Sequence, residues 1–277
     1  MRDRILESRA LSYSVAIFVL SLMMMPIYWT VVTAFKPDTD TYVFPPVYFP
    51  SSPTLAPLQL LFQSYPFFDY ILNSLIVTVS TTLVVTVIGM MAAYGISHYS
   101  FTGGRMVLLT LLITRIIPPL SLLLPFYLVV SFLGLVDNVL SMIIANIYLT
   151  YPFAVLIMKS FFDNFPGELI DSAIVDGCSR TGALFRIVLP VGAPGIASAA
   201  IITFLWTWNE FIYAFVFTST PKAQPVTVGS FDAIGDVFVH WNQMCAGALV
   251  AALPGVIFVF LAQKYLISGL TTGAIKS

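Results

Sequence analysis

Charged residues are scarce in this chain of 277 residues. Lysine, arginine, aspartate and glutamate together make up 9% of it, whereas apolar residues make up 58%. Soluble domains carry about 25% charged residues, so this chain cannot cover a water-facing surface of its size. Leucine, isoleucine, valine and phenylalanine instead fill stretches of about twenty residues, which is typical of helices surrounded by lipid. The composition predicts an all-α protein that crosses a membrane several times.

The residues that most often carry bond chemistry are also few. The two cysteines, Cys178 and Cys245, are interpreted as small residues without redox work, and the two histidines, His98 and His240, as solvated loop residues. No His/Cys cluster has zinc-ligand spacing, and no G-x-x-x-x-G-K-[ST] run occurs, so any ATP that drives this protein is bound by another polypeptide. The net charge of −1 gives no electrostatic footprint for nucleic acid. We expect no catalytic residue, metal site or cofactor on this chain.

Six apolar segments reach the roughly 20 residues that a crossing helix needs. The first segment ends in Phe35-Lys36-Pro37 and not in a small-residue cleavage site, so we interpret it as a span and not as a cleaved signal. In the last segment Gly247, Ala251 and Gly255 recur every four residues, which predicts a small face for helix packing. The predicted spans lie at about 11–35, 70–96, 106–130, 138–158, 195–219 and 244–266.

The basic residues predict the orientation of these spans. With the N-terminus inside, nine of the twelve lysines and arginines lie on the cytoplasmic side, and Arg115 lies within a span. Only Lys36 and Lys222 then lie outside. The positive-inside rule therefore places both termini, including the short segment 1–10, in the cytoplasm. Residues 11–277 are predicted to form one transmembrane domain.

The outer connection 36–69 contains seven prolines. Proline at this density opposes regular helix, so we expect an extended loop that lies on the membrane surface.

The cytoplasmic connection 159–194 has the pattern of two short helices. Pro166 suits the start of the first helix and Gly177 its C-terminal cap, whereas Pro190 is expected to close the second. Ser179 or Thr181 can cap the second helix. A hairpin between spans is suited to contact with a partner, and an amphipathic hairpin resting on lipid headgroups is the alternative interpretation.

The stretch 166–194 resembles the Glu-Ala-Ala loop of ABC-importer permease subunits, with the pattern E-A-A-x-x-x-G, nine residues, then I-x-L-P. Asp171, Ser172 and Ala173 stand at the E-A-A positions, Gly177 matches the glycine, and Ile187-Val188-Leu189-Pro190 closes the pattern. Aspartate for glutamate and serine for alanine are conservative departures.

Most of the remaining chain resembles the carbohydrate branch of these permeases, in particular maltose-type permeases of the second-subunit kind. Asn73-Ser74, Trp208-Asn209-Glu210 and the tail from Gln263 to Lys276 carry this resemblance. It implies the ABC type I importer permease fold with six transmembrane helices, in a bacterial or archaeal plasma membrane. A sugar would pass by alternating access, with a di- or oligosaccharide such as maltose or trehalose as the expected cargo and glycerol phosphate as an open alternative.

The resemblance also implies partners and contact residues. The first hairpin helix would be a coupling helix that sits in a groove on an ATP-binding subunit, and the cytoplasmic tail 267–277 would reach between two such subunits. A second permease subunit, an extracytoplasmic solute-binding protein and membrane lipid complete the implied partners, and ATP and Mg would be bound by the ATPase subunits. The contact residues carried over are Glu168, Asp171, Ser172, Ala173, Asp176, Gly177 and Lys276.

Polar residues within the spans predict a substrate path. Arg115 and Glu210 are expected to face a central cavity, because an ionised side chain within the bilayer needs a partner or water. Two interpretations stay open: a salt bridge between them that joins two helices, or contact with solute. Pro118-Pro119 must interrupt the third span and free carbonyl groups for a polar cavity. The remaining candidates combine aromatic faces with hydrogen-bonding groups, as a sugar site requires, and are Asn146, Tyr148, Trp206, Trp208 and Asn209.

Two other classes of function were weighed. A stand-alone secondary transporter or channel driven by an ion gradient predicts inverted repeats and buried carboxylates, and only Glu210 lies clearly inside a span. A membrane-embedded enzyme needs a catalytic cluster, and the sequence contains none.

Overall fold

The computed structural model describes residues 2–99, 101–232 and 239–272, with only the helical backbone described for 2–10, 232 and 265–272. These residues form helices and connecting loops without a strand. In chain order the helices are α1 (Arg2–Ala34), α2 (Asp38–Thr41), α3 (Ala56–Ser64), α4 (Phe67–His98), α5 (Gly104–Ile116), a 3₁₀ turn (Pro119–Leu122), α6 (Leu123–Phe132), α7 (Val139–Phe162), α8 (Gly167–Val175), α9 (Arg180–Ala183), a π-helical segment (Leu184–Val188), α10 (Leu189–Trp208), α11 (Ile212–Phe217), α12 (Val226–Asp232) and α13 (Trp241–Thr272).

Five helical stretches among the described residues are long and apolar enough to cross a membrane. Two further stretches, α5 and the segment Pro119–Phe132, pass the same test together but are bent by 94° at a short break. The total is six if this bent pair forms one crossing. The break lies at Pro118-Pro119, as the sequence predicted, because proline lacks the N–H of a continuing helix. The five unbroken stretches are Leu11–Ala34, Phe67–His98, Val139–Phe162, Arg180–Trp208 and Trp241–Lys264.

The described residues group into two compact units, one drawn from Met1–Phe67 and Gly229–Leu253 and the other from Phe68–Val228 and Pro254–Ser277. In the first unit the loop after α1 folds back on the end of that helix. The Tyr28 hydroxyl donates to the Tyr48 carbonyl at 2.9 Å, and the Lys36 Nζ lies 4.0 Å from the centre of the Trp29 ring.

The expectation of a wholly extended loop at 36–69 is wrong, because the structure forms α2 and α3 there. Pro57 lies in the first turn of α3, where a missing N–H costs no hydrogen bond, and α3 contains no later proline. Dense proline therefore restricts where a helix can begin but does not exclude one.

The second unit is built on close packing between α7 and α10. An added Cβ on Gly195 of α10 would lie 2.9 Å from the Cβ of Phe161 on α7 and closer still to its ring. Gly192, one turn earlier, would place a Cβ 3.3 Å from the Phe162 ring. Only glycine permits this approach, and the sequence reading missed both positions.

The predicted small face on the last span is used for packing. A Cβ on Gly247 would lie 3.3 Å from the Phe67 ring within the first unit. A Cβ on Gly255 would lie 3.4 Å from the Trp208 indole within the second unit. The packing interpretation is thus confirmed at these two glycines.

Two sequence-based boundaries around the fifth span are wrong. Pro190 does not close a second hairpin helix, because α9, the π-helical segment and α10 run on as one helical stretch from Arg180 to Trp208. Pro190 lies in the first turn of α10, directly after π-helical geometry that alters the backbone hydrogen bonds. The fifth span was predicted to continue to residue 219, but α10 ends at Trp208 and a new helix begins at Ile212.

Candidate functional site

The hairpin helix α8 has well-defined ends. Pro166 precedes it, and after it Gly177 adopts a left-handed conformation with φ +87°. The N–H of Cys178 then donates to the Ala173 carbonyl at 2.9 Å, which satisfies one of the free carbonyls at the helix end. The predicted cap of the next helix is also confirmed, since the Ser179 hydroxyl accepts the Gly182 N–H at 3.0 Å.

One side of α8 packs inward and the other is exposed. Ile170 and Ala173 are buried in the hydrophobic core of the second unit, together with residues of α4, α7 and α10. Of the predicted contact residues, Ala173 therefore packs α8 against the rest of this chain and does not face a partner. The exposed side carries Glu168, Leu169, Asp171, Ser172, Ile174, Val175, Asp176 and Gly177. Val175 is 86% exposed, so this side combines carboxylates with uncovered apolar surface.

A cavity of about 300 Å³ lies in the second unit, where two helical stretches are broken. The Pro118-Pro119 break supplies one wall, the break after Trp208 supplies another, and α7 supplies a third. Five of the seven predicted substrate-path residues line it: Arg115, Asn146, Tyr148, Trp206 and Glu210. A volume of this order lies at the small end of the range for small-molecule sites.

Arg115 lies in the wall of this cavity among aromatic rings. Its Nη1 donates to the Leu149 carbonyl at 2.9 Å. Its guanidinium carbon lies 5.0 Å from the Trp206 ring centre and 5.6 Å from that of Phe153. The two rings are stacked on each other with centroids 5.5 Å apart. A guanidinium has five N–H donors, so most of them are left for other acceptors.

Glu210 lies in the break between α10 and α11. Its two carboxylate oxygens accept the N–H groups of Tyr213 at 2.8 Å and Ala214 at 3.1 Å, so it caps the first turn of α11. Arg115 donates elsewhere, and the structure forms no ion pair between these two described residues. The interpretation of a salt bridge joining two helices is therefore wrong, although both side chains line the same cavity.

The two remaining path candidates do not line this cavity. Trp208 is buried and stacks parallel to Phe204, with ring centroids 6.0 Å apart. Asn209 is exposed, and its amide donates back to the Leu205 carbonyl at 2.7 Å. In their place the structure brings Tyr213 to the wall, where its hydroxyl donates to the Pro119 carbonyl at 2.7 Å. The predicted freed carbonyl is thus present, but no sequence signal pointed to Tyr213 as its donor.

Polar side chains hold the segment that follows α11. Asp137 accepts the N–H groups of Ser219 and Thr220, both at 2.9 Å, and the hydroxyl of Thr220 at 2.5 Å. Burial alone would raise the pKa of Asp137, but these hydrogen bonds lower it below its ordinary value. Asn73 of α4 donates to the carbonyls of Pro221 and Gln224, so the segment is held from α4 and from the loop before α7.

A family model described as "Binding-protein-dependent transport system inner membrane component" matches residues 85–272. This range includes α8, the cavity walls and the segment after α11. The chain belongs to this family. It is therefore a multi-pass permease of the inner membrane. Within the described residues, no group of three or more His, Cys, Asp or Glu side chains could hold a metal ion.

Full-length relatives agree with this permease assignment. The trehalose/maltose transport system permease protein MalG of Thermococcus litoralis is 31% identical and covers 100% of this chain and 99% of its own. The sulfoquinovosyl glycerol transport system permease protein SmoH of Agrobacterium fabrum is 30% identical and covers 91% of this chain and 89% of its own.

The fold is also shared with a solved permease. A bacterial ABC transporter involved in the import of the acidic polysaccharide alginate superimposes with a TM-score of 0.81 at 18% identity, and the match covers 92% of this chain and 95% of that chain. Of the residues carried over to the contact with an ATP-binding subunit, Lys276 lies outside the described residues, as does the end of the tail 267–277.

Proposed function

We propose that this permease is the membrane-spanning subunit of an ATP-driven importer that moves a sugar into the cytoplasm by alternating access. Saccharide cargoes in the names of both relatives and of the structural neighbour support the class of cargo. The cavity supports it too, since the exposed Trp206 ring lines it together with Arg115 and Asn146. Aromatic faces with nearby donors and acceptors suit the C–H faces and hydroxyls of a sugar. We expect a di- or oligosaccharide such as maltose or trehalose.

The proposed path through the chain consists of the five cavity residues that the sequence also selected. Arg115 and Asn146 would donate to hydroxyls, Tyr148 and Trp206 would offer ring faces, and Glu210 would shape the wall by holding α11. Trp208 and Asn209 are left out because neither lines the cavity.

The exposed side of α8 is proposed as the contact with a separate ATPase subunit. Its apolar residues would enter a groove, and Glu168, Asp171 and Asp176 would meet basic groups of that subunit. Ser172 and Gly177 lie on the same side and permit close approach. ATP and Mg would be bound by that subunit. The tail with Lys276 as a second contact stays a prediction.

The remaining partners follow from the same proposal. A second permease subunit would complete the path, two ATPase subunits would bind on the cytoplasmic side, and an extracytoplasmic solute-binding protein would deliver the sugar. Both termini and α8 would then lie in the cytoplasm, and the segment 36–69 would lie outside, as the basic residues predict.

Co-purification of the ATPase subunit with membrane-extracted permease tests the proposal. Val175→Glu places a charge on the 86% exposed apolar position of α8, and we expect it to weaken ATPase retention by about tenfold or more. Phe132→Glu is the matched control, because Phe132 at the end of α6 is 90% exposed. Equal retention in both variants would contradict a contact through α8. Sugar uptake by the purified chain without any ATPase would favour the stand-alone transporter instead.

A further inference from the structure

The C-terminal end of α4, which is proposed to lie on the cytoplasmic side, contacts the hairpin at the point where the chain enters α8. Tyr94 lies with its ring centre 6.2 Å from that of Phe162, the last residue of α7, in an edge-to-face arrangement. His98 makes a similar contact with Phe165, directly before α8, at 6.3 Å. His98 is thus half-buried in a ring cluster at the end of α4, and the interpretation of this histidine as a solvated loop residue is wrong.

The same end of α4 also contacts the hairpin where the chain leaves α8. Arg180, the first residue of α9, holds its guanidinium carbon 5.2 Å from the centre of the Tyr99 ring. Tyr99 packs edge-to-face on Tyr94 at 5.8 Å, and Tyr94 stacks on His98 at 4.8 Å. The three residues Tyr94, His98 and Tyr99, here called the α4 clamp, therefore form one connected cluster that touches both ends of the hairpin.

The covalent connections of α8 explain why such a cluster matters. Asp163–Pro166 join α8 to α7, and Asp176–Ser179 join it to α9, so both of those helices are linked to α8 by only a few residues. Helix α4 is separated from the hairpin along the chain by α5, α6 and α7, so the two have no direct connection. Any motion that it shares with α8 must pass through packed side chains, and the clamp supplies such contacts next to the buried Ile170 and Ala173.

We propose that the α4 clamp is the positioning element that makes α4 follow α8 when the ATPase subunits act. The proposal rests on the proposed function, because it presupposes that an ATPase moves α8. Tyr99 and Arg180 form its exit contact, which lies at the edge of the core: Arg180 is exposed, and Tyr99 is half-buried and packs against the core cluster. Loss of the exit contact should leave docking intact and uncouple α4.

The test uses the whole importer, purified with its own partner subunits and reconstituted in lipid. A fluorophore on Leu83→Cys, in a Cys178→Ser and Cys245→Ser background, reports on α4, since Leu83 is 64% exposed on that helix. ATP with vanadate traps the complex for the fluorescence reading, and ATP hydrolysis measured without vanadate on an aliquot of the same preparation reports on docking. Tyr99→Leu removes the ring, and Tyr99→Phe keeps it as the matched control.

We expect Tyr99→Leu and Arg180→Gln each to reduce the nucleotide-induced signal at position 83 by about two- to fivefold, the range that loss of one cation–π contact gives. The double variant should be no worse than either single one, because both remove the same contact. Hydrolysis and the Tyr99→Phe signal should match the parent. An unchanged signal in both single variants would overturn the clamp, whereas a parent complex without hydrolysis would overturn the proposed function itself.

Discussion

Gly195 provides a sharp test of the packing between α7 and α10. A methyl group at this position would lie 2.9 Å from the Phe161 Cβ and nearer still to its ring, so the helices must move apart or the ring must leave its rotamer. Overpacking of this kind costs about 1–3 kcal/mol. The better helix propensity of alanine returns about 0.5–1 kcal/mol. Gly195→Ala should therefore lower the free energy of unfolding by about 1 kcal/mol, and by at most about 2.5 kcal/mol.

Gly95 is the matched control, because it lies inside α4 and a Cβ there would meet no atom within 4 Å. Gly95→Ala should raise the free energy of unfolding by about 0.5–1 kcal/mol. Thermal and denaturant unfolding of both variants in the same detergent gives the two signs directly. The Phe161→Ala background should reduce the cost of Gly195→Ala, since it removes the ring atoms. A Gly195→Ala variant as stable as the parent would refute the close approach of the two helices.

Three further predictions concern single side chains. Gly177→Ala should cost about 1 kcal/mol of unfolding free energy because of its positive φ, and Gly177→Asn should cost less; equal values would contradict the left-handed cap. Because hydrogen bonds from Thr220 and its neighbour lower the pKa of Asp137, its ionised form stabilises the fold above its unfolded pKa. The melting advantage over Asp137→Asn should thus be full near pH 7 and vanish as the pH falls through the folded-state value, and a constant difference down to about pH 3 would refute it. Arg115→Gln and Glu210→Gln should add in unfolding free energy within about 0.5 kcal/mol, since the two groups bond to different partners; a larger coupling in the double-mutant cycle would indicate a pair.

Helix breaks were predictable only where a residue enforces them locally. Pro118-Pro119 removes backbone donors whatever surrounds it, so the bend in the third span follows from the sequence alone. The break after Trp208 has no proline or glycine, and it depends on Glu210 capping α11 and on Thr227 donating to the Glu210 carbonyl at 2.9 Å. A side-chain cap and a longer-range hydrogen bond leave no trace in a hydropathy profile.

The cavity residues show the same division. Arg115 and Glu210 could be selected because isolated charges within apolar segments require a polar environment. The sequence does not give the rotation of each helix about its own axis. The sequence prediction therefore groups Trp208 with Trp206, although the Trp208 ring packs against Gly255. Within α8, the helical period separates the buried Ile170 and Ala173 from the exposed side, a division that the sequence motif alone does not show.

The π-helical segment Leu184–Val188 directly precedes the long helix α10, so a small change of angle at this segment is amplified at the far end of α10. The twenty residues of α10 beyond it span about 30 Å, so a rotation of one degree at the segment would carry Trp208 by about 0.5 Å. No loop interrupts the stretch between Arg180 and Trp206, which lines the cavity. A tilt too small to disturb hairpin packing would therefore shift the α10 wall of the cavity by about half an ångström, which is as large as the whole distance range of an N–H···O hydrogen bond.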